Sequence, residues 1–336
     1  MKQFNVLVLT DHTNHSKENS LYSLVNAMLK HELTSKIDIA SRANKENQSF
    51  FNHVKNANLY VSQTTEHFKF TEDGNFLSEA LKLANLKDYD LIWLRMPPPL
   101  SKPFLDFLEQ TFKGQFVINN PNGIHLTGTK AFLENFQEFC PPIKICKTKE
   151  DIIEFKNRFP IVLKPMREYG GKGIVKIDGD VVWSGDNKTT FQDFINQFDN
   201  NSLPFLGVKF LKNVTEGDKR VVVVNGKIMG ASLRLPAKDS WLCNVAMGGT
   251  SSLAEVDEEE RLIVAAINPV LSKMGIVMYG LDTLVGDDGK RVLSEINTTS
   301  IGGLPQIATQ LNLPLVENAI DLIWSYFLKN RIKLNE

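Results

Sequence analysis

Apolar positions along the chain cluster into an orderly succession of elements. Residues 4–10 form a nearly unbroken apolar run that reads as a buried strand. After a polar loop at 11–19, Leu21, Leu24, Val25, Met28 and Leu29 recur at helical spacing within residues 20–32. Strand then helix from the outset predicts an α/β layer. No GxGxxG follows, so dinucleotide binding is not expected. Residues 42–75 are polar and weakly patterned. Helical spacing returns at 76–86, residues 90–95 are a second buried strand stopped by Pro97-Pro-Pro99, and 116–119 a third. Pro121-Asn-Gly123 reads as a turn. From about residue 124 the pattern changes. Helices are expected over 127–139 and from the cap Thr148 to 158, with strands at 143–146 and 160–164. Asp178-Gly179 and Asn225-Gly226 each turn a hairpin. Another helix lies near 191–198 and a strand over 205–211. A long amphipathic helix spans 257–274, and helical material fills 304–328.

Candidate chemistry concentrates where polar residues interrupt these runs. Tyr279-Gly-Leu-Asp282 and Glu295-Ile-Asn297 are apolar runs joined through Gly286-Asp-Asp-Gly-Lys290. With Asp288-Gly289 as a two-residue turn, Lys290 faces Asp287 and Glu295 falls opposite Asp282. Glu295 and Asn297 then share a face. Carboxylates at cross-strand distance repel unless a cation lies between them, so the trio predicts a Mg²⁺ site over a merely solvated sheet end. Lys164 sits in an apolar run ahead of Gly170, Gly171 and Gly173. A buried lysine needs an anion, and glycines let backbone amides approach phosphate, which points to phosphate binding beyond a plain hairpin. Arg95 ends a buried strand, where open α/β sheets bind ligands, or else pairs with a surface acid. Residues 236–252, with Asn244-Val-Ala-Met-Gly248-Gly249, have the composition of a loop over a site.

Composition narrows the class. The 336 residues are 42% hydrophobic and 23% charged with net charge −1, an ordinary globular balance with room for two or three domains. Near-neutrality argues against nucleic acid or an anionic membrane as partner. Three cysteines in no zinc spacing fit a reducing compartment. No apolar run approaches the roughly 20 residues that span a bilayer, and none resembles a signal peptide. The expectation is a cytoplasmic protein.

Taken together the motifs resemble the ATP-grasp ligases, and among them the bacterial glutathione synthetases. The resemblance runs through Arg95, Lys130, Val162-Leu-Lys-Pro165 with Tyr169-Gly-Gly171, Gly217-Asp-Lys-Arg-Val221 and Leu233-Arg-Leu-Pro236. It continues with Asn244 before Gly248 and Gly249, Gly280-Leu-Asp282, and Glu295-Ile-Asn297 with Ser300. It implies an α/β chain with a Rossmann-like N-terminal domain (1–123), then a small ATP-grasp lobe (124–204) and a large one (205–330). It also implies ligation of γ-glutamylcysteine to glycine through an acyl phosphate, with ATP as co-substrate. Two Mg²⁺ ions, or Mn²⁺ in their place, would be held by Asp282, Glu295 and Asn297. Lys130, Lys164, Tyr169, Gly170 and Gly171 would meet the phosphates, Lys209, Phe210 and Leu211 the adenine, and Asp218 the ribose. Arg220 and Arg234 would be catalytic, and Arg95, Asn244, Gly248, Gly249 and Ser300 would face the other substrates. Relatives are often homo-oligomers. Two readings compete: a ligase for another amino acid or peptide carboxylate, and a nucleotide-binding regulator without catalysis. The chain departs from the family pattern at Leu242, where an arginine is common, at the hinge pair Val208 and Lys209, and in Thr298-Thr-Ser-Ile-Gly-Gly303.

Overall fold

The computed structural model describes residues 2–55, 57–185, 187–198, 203–236 and 250–331, which form three sheets. The first section of chain runs β1 (Phe4–Thr10), α1 (Ser20–Lys30), β2 (Thr34–Ser41), α2 (Gln48–Phe51), β3 (Tyr60–Gln63), α3 (Asn75–Ser78) and β4 (Lys82–Leu83). It continues through β5 (Leu91–Arg95), α4 (Lys102–Thr111), β6 (Phe116–Ile118) and α5 (Pro121–Thr127). The sheet order is β4-β3-β2-β1-β5-β6, with β2, β1, β5 and β6 parallel. Parallel central strands are covered on both faces, which is why β1 reads as a continuous apolar run. Val6 and Val8 pack towards α1, and Leu7 and Leu9 towards Phe104, Leu105 and Leu108 of α4. Asn19 and Ser101 cap the two helices.

The second section holds a 3₁₀ segment (Lys130–Phe139), β7 (Ile143–Cys146), α6 (Lys149–Lys156), β8 (Ile161–Pro165), β9 (Val175–Asp178), β10 (Val181–Ser184), β11 (Asn187–Thr190), α7 (Phe191–Asn196) and β12 (Phe205–Lys209). Its sheet, β11-β10-β9-β8-β12-β7, closes over a core of its own around Phe155, Leu163 and Phe194. The third section comprises β13 (Asp218–Val224), β14 (Lys227–Leu235), β15 (Thr250–Ala254), α8 (Glu258–Lys273), β16 (Met278–Val285), β17 (Arg291–Asn297), α9 (Leu304–Leu311) and α10 (Leu315–Asn330). These strands form an antiparallel sheet, β15-β14-β13-β16-β17. α8 covers one face through Ile263, Val264 and Ile267. On the other face α9 and α10 cover Val222 and Val224, and the Asp218 end is left uncovered by helices. α10 then returns to the first sheet, where Trp324 and Phe327 meet the ring of Phe4 at centroid distances of 5.8 and 5.0 Å. The two ends of the chain therefore share one core.

The α/β class and most elements match the sequence pattern, and the departures have local causes. Residues 76–86 hold only one turn of helix and an edge strand, because Phe76 and Leu77 pack on one core and Ala84 and Leu86 on another, while Leu83 stays 58% exposed. Pro121-Asn-Gly123 opens α5 instead of a turn. Proline suits the first helical turn, and the Asn120 side chain accepts the Gly123 N–H. The helix expected over 127–139 breaks after Thr127 and resumes as 3₁₀ turns kinked at Phe136. The hairpin turn near 178 is Gly179-Asp180, one residue later than expected, since Asp178 pairs with Val181 and Gly179 takes φ +57°. Among the described residues no helix is long and apolar enough to cross a membrane.

Gly123 marks a close approach between the first and third sections. A Cβ there would collide with the Met274 carbonyl oxygen, which α8 holds in place. Gly123→Ala should cost about 1–3 kcal/mol of stability, read as a lower thermal midpoint. An unchanged midpoint would mean that the two sections part freely there.

Candidate active site

Side chains alternate across a strand, so Asp218, Arg220 and Val222 of β13 share one face. Cross-strand pairing adds Arg234 opposite Asp218, Asp282 opposite Arg220, and Glu295 opposite Asp282. Four charged rows thereby converge on the uncovered part of the third sheet. Arg220 grips Asp282 through two bonds, Nε to Oδ1 at 2.7 Å and Nη2 to Oδ2 at 2.6 Å. Arg234 grips Asp218 in the same forked way, both at 2.6 Å, and its Nη2 also lies 2.9 Å from Asp282 Oδ2. Asn297 Nδ2 donates to the same oxygen at 3.1 Å. Burial works against a charge on Asp282, but Arg220 and Arg234 outweigh it and hold the carboxyl well below the ordinary range. Asp218 is pushed up to about 6 by burial and then by Asp282, against the pull of Arg234.

Two bulges set this register. Asn225 and Gly226 both take positive φ, as a type I′ turn requires. An extra residue at Met229 then shifts the pairing, so Arg220 faces Ser232 of β14 and not the Ala231 that direct counting gives. Its counter-charge comes from the strand on its other side. The β16–β17 turn is longer than two residues: Val285 pairs with Arg291, and Gly286 donates to the Lys290 carbonyl. That register alone would put Ser294 opposite Asp282. The bulge between Thr283 and Asp282 absorbs Ser294 and restores Glu295 to that place. The expected facing pair is present, reached by a different turn.

Across an interior space of about 350 Å³ stands the second sheet, with Val162, Lys164, Ile174 and Val208 on its wall. Lys164 reaches the bulge residue, its Nζ 3.2 Å from Ser294 Oγ. Burial pulls the Lys164 ammonium down, and Glu295 pulls it back only in part. Lys130 lies beside this cleft, 3.1 Å from Glu295 Oε1 and over the ring of Tyr169, whose hydroxyl donates to Gly128 O. Gly170 and Gly171 line the cleft with φ of +66° and +80°, a backbone that a side chain would strain. Lys209, Phe210 and Leu211 line its far end.

Not every expected residue reaches the cleft. Arg95 does end β5, but it is 3% exposed and spends Nη2 on Ser20 Oγ and the Ile301 carbonyl, each at 2.8 Å. It is neither a surface arginine nor an open ligand. It anchors the segment after β17, and burial pushes its guanidinium down to about 10. Ser300 lines the cleft with φ +42°, its hydroxyl donating back to Arg95 O at 3.4 Å. Asn244, Gly248 and Gly249 lie outside the described residues, as do Leu242 and the rest of 237–249. Ser294 escaped sequence reasoning because only a bulge turns it into the cleft. Lys219, on the opposite face of β13, also escaped it. There its Nζ bonds Asp257 Oδ2 at 2.7 Å and the fully buried Glu260 at 3.0 Å, fixing the strand from behind.

Residues 129–312 match the family model described as prokaryotic glutathione synthetase, ATP-grasp domain. The chain is 29% identical over 250 residues to the glutathione synthetase of Rhodopseudomonas palustris, covering 73% of this chain and 74% of that protein. To the glutathione synthetase of Prochlorococcus marinus it is 30% identical over 240 residues, with 70% and 74% covered. Among solved structures it is similar in fold to the D-cycloserine synthetase DcsG (TM-score 0.63, 11% identity, 98% and 99% covered). It is likewise similar to the D-alanine–D-alanine ligase of Bacillus anthracis complexed with ATP (TM-score 0.58, 14% identity, 98% and 99% covered).

The charge cluster predicts an order of sensitivity. Asp282→Asn leaves two guanidinia facing one carboxylate in a buried place and should cost about 3–5 kcal/mol. Asp218→Asn, at a carboxyl whose charge burial and Asp282 already oppose, should cost less, about 1–2 kcal/mol. Denaturant titration of both variants checks the order, and equal losses would contradict it.

Proposed function

The chain belongs to the prokaryotic glutathione synthetase family of ATP-grasp ligases, and from that premise we propose that it joins γ-glutamylcysteine to glycine with ATP. It is an ATP-dependent, peptide-bond-forming ligase. The observation that carries the finer reading is the pair of guanidinia, Arg220 and Arg234, pinned by Asp282 and Asp218 on the floor of a cleft whose opposite wall holds Lys164. Fixed forks beside mobile phosphate oxygens are what a phosphoryl transfer to a carboxylate needs.

Each step can be assigned to residues of this chain. Val162, Ile174, Val208 and Leu284 make an apolar slot for a purine, read at its edge by the backbone of residues 209–211. Asp218 is the acid on the cleft for a ribose. Lys164 and Lys130 meet the phosphates, and the Gly170-Gly171 backbone closes over them. The substrate carboxylate attacks the γ-phosphorus, its O–P bond forms as the bond to ADP breaks, and Arg220 and Arg234 hold the charge. The glycine amine then adds to the acyl carbon, phosphate departs, and the amine loses a proton. Ser300, in the segment anchored by Arg95, faces the peptide end of the cleft.

The donor set fits Mg²⁺. Glu295 and the Asn297 amide oxygen are hard oxygen donors on the cleft, and Asp282 Oδ1, which accepts from Arg220 Nε, keeps a second lone pair for a cation. Among the described residues no cluster of three acidic, histidine or cysteine side chains forms a closed cage. Mg²⁺ characteristically combines one or two carboxylates with substrate phosphates, so an open set of this kind suits it. When bound, the ions neutralise phosphate charge and polarise the γ-phosphate. Residues 1–123, 124–204 and 205–330 serve in this reading as substrate, phosphate-loop and metal-bearing units, with β12 crossing to the second sheet.

Three measurements test the proposal. Purified protein with ATP, Mg²⁺, γ-glutamylcysteine and glycine should release phosphate; release only with another acid–amine pair would move the substrate assignment. Arg234→Lys keeps the charge but loses the fork, and should lower kcat by about 10²-fold or more. Glu295→Gln should fold normally yet lose about 10²-fold in turnover at limiting Mg²⁺, with partial recovery at high Mg²⁺. Wild-type turnover at limiting Mg²⁺ would remove Glu295 from the metal set.

A further inference from the structure

The turn between β16 and β17 reaches beyond its own sheet. Asp287 Oδ2 lies 2.6 Å from Lys209 Nζ, and its Oδ1 accepts the Lys212 backbone N–H at 3.0 Å. Beside it, the Gly286 carbonyl accepts from Asn213 Nδ2 at 2.8 Å. Lys209 is the last residue of β12, where the chain leaves the second sheet for the third. Two neighbours in one turn thus hold three residues of the connection between the sheets. The hydrogen bond from Lys209, and then that from the Lys212 backbone, keep the Asp287 carboxyl below its ordinary range. A two-residue turn would leave Asp287 paired within the hairpin. The longer turn sends it to the connection, and the Ser294 bulge compensates in register.

We propose that Asp287 is a positioning residue that latches the segment 209–211 against the hairpin carrying Glu295 and Asn297. The inference rests on the reading of 209–211 as the purine wall. Asp287 is absent from the cleft lining, and its hydrogen bonds go to residues of the connection. Of the phosphate-facing lysines, Lys130 bonds the Glu168 carbonyl and pairs with Glu295, and Lys164 bonds Ser294. The latch therefore acts on the adenosine half of the nucleotide and leaves the phosphate half alone.

Calorimetric titration of the full chain with ATP and with inorganic tripolyphosphate, both in Mg²⁺, separates the two halves. Asp287→Ala should weaken ATP by about tenfold, the loss of two charge-assisted hydrogen bonds, while tripolyphosphate changes by less than about twofold. The exchange Lys209→Glu with Asp287→Lys should bind ATP more tightly than either single variant. An unchanged ATP affinity, an equal loss for both probes, or no recovery in the exchange would overturn the latch. Failure of the wild-type chain to bind ATP, with tripolyphosphate still bound, would remove the purine reading and the latch with it.

Discussion

A buried carboxylate is tolerable only when its charge is met by geometry as well as by sign, and Asp282 imposes that constraint on the third sheet. Its two oxygens take bonds from Arg220, Arg234 and Asn297, which sit on three different strands. A one-residue slip of any of them would turn its side chain to the α8 face and leave a charge unpaired. The register of β13, β14, β16 and β17 is thus tied to the neutrality of this one cluster. Behind the sheet, Lys219 with Asp257 and Glu260 applies the same constraint from the other face.

What surrounds the cluster follows from it. The end of the third sheet that carries these charges is uncovered by α9 and α10, so a cleft faces the second sheet. The lysines across it differ in kind. Lys130 already has Glu295 as a close partner, whereas Lys164 bonds the Ser294 hydroxyl and feels Glu295, Asp282 and Asp218 from further off, and burial lowers its affinity for a proton. An anion arriving between the sheets relieves that cost. The cleft is in this sense built with more buried positive charge on its far wall than its own acids satisfy, which suits the polyphosphate of the proposed reaction.

Much of the fold was legible from local pattern. β1, β5 and the hairpin strands are short apolar runs bounded by turn residues, and those signals depend on nearest neighbours along the chain. The failures lie where local signals point the wrong way. The stripe at 76–86 has helical spacing but divides its apolar residues between two cores, and Pro121 looks like a breaker while serving as a helix start. Arg95 was legible as special by its place at a strand end. Its use as an anchor for Ile301 was not, because its partner lies 206 residues later.

Residue types and period-two alternation sufficed to put Glu295 and Asn297 on one face, to mark Lys164 and its glycines as anion-seeking, and to carry the family resemblance. These are properties of short segments, whose backbone choices are dictated by sterics and by the next few side chains. The counter-charge of Arg220, the turn of Ser294 into the cleft and the reach of Asp287 to Lys209 were decided by the assembled sheets. Each depends on a bulge or on a strand brought alongside from far away. A bulge is a compromise between the hydrogen-bond ladder and the packing on both faces, and that balance exists only once the strands are together.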